Sequence, residues 1–163
     1  MAREFTEVDR SMRKHVKRKV WPLLNPVQHA IEGAAITDTG KLNQLRMVEL
    51  SAIEAFAKGR ATPNDWRTIA DMLNVSESLC QMGVGPEALE SCEKAQEALG
   101  NAHARHSAGK PLLFTGPELQ QVRDAYEYAD LQRASVSRSE LERAVKRTAD
   151  RIRSAHPDLK VYA

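Results

Sequence analysis

The chemistry most legible in this chain belongs to its cations. Arg13-Lys14-His15-Val16-Lys17-Arg18-Lys19 sets five fixed positive charges within seven residues. Each lysine or arginine that reaches a phosphate releases a condensed counterion. Such a run therefore gives a sequence-independent affinity for nucleic acid that falls with salt. A second set, Arg143, Arg147 and Arg151, recurs at four-residue spacing, which stacks the three along one side of a helix, with Lys146 and Arg153 beside them. Like charges so placed cost an isolated helix about 0.2–0.5 kcal/mol per pair. A phosphate backbone or an acidic protein relieves that repulsion, and so do internal counterions such as Glu142 and Asp150.

A third set has the opposite sign. Glu87, Glu90, Glu93 and Glu97 fall on the polar side of one helical stretch. A row of carboxylates can imitate a row of phosphates toward a basic protein. Charge is sorted along the whole chain in the same sense. Residues 1–19 carry seven Lys/Arg against three Asp/Glu, residues 20–132 carry nine against fifteen, and residues 133–163 carry eight against four. The overall +2 hides a chain that is basic at both ends and acidic between them.

Other reactive residues form no catalytic set. His103 and His106 have a metal-ligand spacing without a third ligand nearby, and read as surface residues at a helix end. Gly83-Val84-Gly85-Pro86 lacks the lysine and Ser/Thr of a phosphate loop, and no serine sits in a nucleophile elbow. Glu49, Glu54, Asp65 and Asp71 could pair across helices as acid and base, but solvation and capping account for them more simply. Cys80 and Cys92, the two cysteines, form neither a disulfide framework nor a paired zinc motif, and are expected as reduced core residues. The expectation is a non-enzymatic protein without metal or cofactor.

These residues must be positioned by helices. At 163 residues the chain suits one domain, and with 5% aromatics its core must be built mainly from Leu, Ile, Val, Met and Ala. No apolar run approaches the roughly 20 residues that span a bilayer, and no signal-peptide pattern opens the chain, so a cytoplasmic location is expected. Asn25-Pro26 opens a helix to about Ala35, and a second runs from about Lys41 to Lys58, with Glu49 interrupting the line Leu42, Leu45, Ile53, Phe56. Thr62-Pro63-Asn64-Asp65 opens a third, whose apolar stripe includes Trp66, Ile69, Leu73 and Cys80. Gly83 to Pro86 marks a hairpin into a fourth helix, Pro86 to about Arg105. Pro111-Leu112-Leu113-Phe114 reads as a plug for the core. Thr115 and Ser137 cap a fifth and a sixth helix, their inner faces expected at Leu119, Val122, Tyr126, Ala129 and at Leu141, Val145, Thr148, Ile152. The expected architecture is all-α: a single bundle of five to six helices over residues 20–163, preceded by a basic arm at 1–19.

Two stretches resemble known proteins. Trp66 to Glu77, with Ala70, Asn74 and Ser76, resembles the first helix and turn of helix-turn-helix DNA readers. Residues 76–82 contain no Lys or Arg, however, and one continuous core helix fits them better. Glu49-Leu50-Ser51-Ala52-Ile53-Glu54-Ala55-Phe56, with Asp65-Trp66 and Gly83 to Leu89, resembles small uncharacterised helical proteins of bacterial phages and plasmids. That resemblance implies an accessory or regulatory protein of a mobile element, with no functional residues to transfer. The favoured partner is nucleic acid or a nucleoprotein, bound by Arg13, Lys14, Lys17, Arg18 and Lys19 with Arg143, Arg147 and Arg151. The alternative is an inhibitor or adaptor that engages a basic host protein through Glu87, Glu90, Glu93 and Glu97.

Overall fold

The computed structural model describes residues 38–156 and 158. The basic arm, with Arg13, Lys14, Lys17, Arg18 and Lys19, and the helix expected at 26–35 lie outside the described residues. The protein is all-α, with five α-helices among the described residues: α1 (Thr39–Ala57), α2 (Pro63–Gln81), α3 (Leu89–Ser107), α4 (Gly116–Ser135) and α5 (Arg138–Ala155).

Local chemistry sets each start. The Asp38 carboxylate accepts from Gly40 N at 3.1 Å and opens α1. At α2, Asp65 accepts from Thr62 N at 2.7 Å while the Thr62 hydroxyl accepts from Asp65 N, and Pro63 occupies the first turn. The same reciprocal box joins Thr115 to Glu118 and Ser137 to Glu140. Helix α2 continues unbroken through Asn74 and Ser76, so the helix-turn-helix resemblance does not hold. The expected fourth helix instead begins with a 3-10 turn, Pro86–Ala88, before α3 proper. Gly85 enters that turn at φ 57°, a left-handed conformation that favours glycine.

Helix α2 is the centre of the fold and packs against α1, α3, α4 and α5. The main core gathers Ile53 and Phe56 from α1, Ile69 and Leu73 from α2, Leu99 from α3 and Val122 from α4. The 108–115 connection closes it. Leu112 and Phe114 are buried, and the Phe114 ring stacks on Phe56 at 4.2 Å.

Two inner faces differ from the sequence expectation. Helix α4 buries Val122, Ala125, Ala129, Gln132 and Arg133, while Leu119 and Tyr126 are half-buried. Helix α5 buries Ala144, Thr148 and Ala149, and leaves Val145 exposed. Small side chains let α5 approach α2 closely enough for Thr148 Oγ1 to meet Ser78 Oγ at 2.7 Å.

Candidate nucleic-acid interface

The cationic surface of the described residues is on α5. Arg143, Lys146 and Arg147 are exposed, and together with Met82 and Asp150 they line one shallow depression. Arg147 donates to Gln81 Oε1 at 3.3 Å, a neutral contact that leaves its charge unopposed. Among the described residues Arg143 has no ion-pair partner. Asp150 is engaged by Arg153 at 2.9 Å, and Glu142 by Arg138 at 2.9 Å.

Arg151 does not belong to this surface. Its Nη1 lies 2.7 Å from Glu77 Oε1 and its Nη2 donates to Asn74 O at 3.3 Å, so it ties α5 to α2. The reason is the helical pitch: four residues advance slightly more than one turn, so the row drifts by about 40° per step. By the third arginine the row has turned inward. The sequence-predicted trio is therefore reduced to Arg143 and Arg147, with Lys146 added between them.

The four glutamates also separate. All are exposed, but Glu87 and Glu90 line a groove between α3 and α4, and Glu93 and Glu97 do not. Lys94 sits in the same groove, 2.6 Å from Glu90, and its hydrogen bond holds the Glu90 carboxyl below the usual range. Opposite, α4 contributes Asp124 and Glu127. Sequence reasoning missed these two, because helical periodicity does not show which helix faces which.

The largest departure from the sequence reading is Glu49. It is buried, and it accepts two hydrogen bonds from Arg133, at 2.6 Å and 2.7 Å, with side-chain exposures of 2% and 5%. Burial pushes the Glu49 carboxyl above its ordinary value, against the pull of Arg133. Arg46 joins the cluster by donating to Asp130 at 2.7 Å. Beside it, Leu45, Val48, Met72 and Val145 help to line an apolar cleft of about 420 Å³ between α1, α2 and α5.

The remaining candidates are structural. Cys92 Sγ donates to Leu73 O at 3.2 Å, and burial pushes its thiol up to about 12. Cys80, also free, accepts from Gln132 Nε2 at 3.1 Å. His103 packs against the Trp66 ring, and His106 Nδ1 lies 2.9 Å from Lys110 O. Among the described residues no group of three or more His, Cys, Asp or Glu is placed to hold a metal ion. No helix among them is long and apolar enough to cross a membrane.

The class this fold defines is an all-α helical bundle. Comparison with known proteins returns no matching family model, no matching curated protein and no matching solved structure.

Proposed function

We propose that this chain is a non-enzymatic accessory or regulatory protein of a phage or mobile element, acting in the cytoplasm, that binds nucleic acid or a nucleoprotein. The observation that carries the reading is the depression formed by Arg143, Lys146 and Arg147, whose cations stand exposed on one side of α5. Five further cations in residues 13–19 reinforce it at the level of sequence. Cations of this kind bind phosphate without reading bases.

Fluorescence anisotropy on labelled duplex and single-stranded oligonucleotides, across a salt series, tests this reading. Replacing Arg143, Lys146 and Arg147 together by alanine is expected to weaken binding and to shallow the logarithmic salt slope. Each phosphate that is no longer neutralised takes about 0.9 from that slope on duplex DNA. Substituting the five arm cations is expected to act in the same direction. Unchanged affinity and slope in both variants would overturn the proposal.

A second reading rests on the groove where Glu87 and Glu90 meet Asp124 and Glu127. An inhibitor or adaptor using that groove would engage a basic protein and tolerate loss of both cationic sets. The two readings thus make opposite predictions for the same variants.

A further inference from the structure

We infer that the apolar cleft between α1, α2 and α5 binds a small, uncharged, mainly apolar molecule that carries a hydrogen-bond acceptor such as a carbonyl oxygen. Helices α1 and α5 both pack on α2, and the cleft lies between them. Helix α1 lines it with Leu45 and Val48, α2 with Met72, and α5 with Leu141, Val145 and Ile152. Its volume of about 420 Å³ falls within the range of about 300–1,000 Å³ common to small-molecule sites. Such sites combine an apolar lining with a few placed polar groups.

The polar lining indicates the functional group. Thr68 Oγ1 donates to Asn64 O at 3.0 Å, Thr148 Oγ1 donates to Ala144 O at 2.9 Å, and Glu49 accepts from Arg133 with both oxygens. Among these lining residues Arg133 keeps an unmet donor. Its side chain is 5% exposed, and its buried Nε has no hydrogen-bond partner. Buried N–H groups are nearly always paired, and leaving one unpaired costs more than an ordinary hydrogen bond gains. An acceptor oxygen on a bound molecule completes Arg133, and the apolar lining covers the rest of that molecule.

Charge decides against an ion. The Arg133 guanidinium already meets Glu49 with two bonds and lies 3.7 Å from Asp130, which Arg46 engages at 2.7 Å. These four charges cancel. Asp71 adds a further carboxyl to the lining. Burial pushes the carboxyls of Glu49 and Asp71 above their ordinary values, so the cleft resists another anion. A cation could pair with Asp71 but would leave the Arg133 donor unmet. The inference is independent of the proposed function, since Arg143, Lys146 and Arg147 do not line this cleft.

Titration of the full chain with methyl hexyl ketone, octanoate and octylammonium, read by methyl NMR shifts, tests it. The three share an eight-carbon skeleton and differ in the polar group. The ketone is expected to shift the methyl signals of Val48, Leu141 and Val145 with a Kd of about 0.1–1 mM. It should bind at least roughly tenfold more tightly than either ion. Val145→Asp, at a position 39% exposed, should fold like the parent and lose the binding. Glu49→Leu with Arg133→Met removes the donor together with its counter-charge, and should weaken the ketone by roughly threefold to tenfold. No shift at about 5 mM ketone, or shifts confined to residues outside the cleft, would overturn the inference. So would tightest binding of octylammonium, which would assign the cleft to a basic partner at Asp71, or of octanoate, which would make Arg133 an anion site.

Discussion

The Glu49–Arg133 pair shows how a single residue can mislead a sequence pattern. In the line Leu42, Leu45, Ile53, Phe56, a glutamate reads as an interruption turned to solvent, because its partner is 84 residues away. The structure buries both ends, and Arg133 Nε is left without a hydrogen-bond partner. Removing one charge strands the other in a site of low polarity, so Glu49→Leu or Arg133→Met is expected to cost about 3–5 kcal/mol. Replacing both together, as Glu49→Leu with Arg133→Met, is expected to be close to neutral. Two desolvated charges are then traded for packing, and the orphaned Nε disappears with them. Urea denaturation of the four proteins in a double-mutant cycle reads the difference. Acid acts on a second ion pair, between Arg105 and Glu118. Arg105 donates to Glu118 and holds its carboxyl below the ordinary value, so its contribution is present above about pH 4.5 and is lost as pH falls through the folded value. Glu118→Gln is therefore expected to flatten the acid limb of a melting-temperature profile.

At the scale of the element, most helix starts are legible because they are written in local chemistry. Thr62-Pro63-Asn64-Asp65 and Ser137-Arg138-Ser139-Glu140 specify a capping box without reference to the rest of the chain. Helix rotation is less legible. Hydrophobic spacing places the inner face of α5 at Leu141, Val145, Thr148 and Ile152, whereas Ala144 and Ala149 are buried there with Thr148. Hydrophobic size identifies a core face only when the core wants large side chains. Here close approach to α2 selects small ones, and alanine carries little signal in a periodicity. The α2–α3 turn gives a sharper test. Gly83 and Gly85 both adopt positive φ, 86° and 57°, but a Cβ on Gly83 would meet nothing within 4 Å. A Cβ on Gly85 would lie 3.3 Å from Gln132 Cγ, and the Gln132 amide donates to Val84 O at 2.8 Å. Gly83→Ala is expected to cost about 1 kcal/mol from backbone conformation alone. Gly85→Ala should cost more, since Gln132 must also shift away from Ser76 and Val84. Thermal unfolding of the two variants separates backbone strain from side-chain crowding.

Over the whole molecule, the proposed binding surface lies on the helix with the narrowest anchorage. Helices α1 to α4 share the main core, whereas α5 rests chiefly on α2 through a small cluster of Leu79, Val136 and Ala144. Polar ties supplement it, among them Ser78 with Thr148 and Glu77 with Arg151. Local opening is easiest where few apolar groups are buried, so α5 should exchange its amide hydrogens faster than the centre of α2. Arg151→Ala removes the ties to Glu77 and Asn74 without touching Arg143, Lys146 or Arg147. It is expected to lower protection in α5 and leave α2 nearly unchanged. A ligand that binds only the docked helix adds its binding free energy to the cost of opening. If Arg143, Lys146 and Arg147 engage phosphate there, saturating oligonucleotide should raise protection along α5 and restore much of what Arg151→Ala takes away. Hydrogen exchange with and without oligonucleotide, at low salt, measures both effects in one experiment. Protection that rises only outside α5 would place the binding surface elsewhere on the chain, and would remove these three residues from the interface.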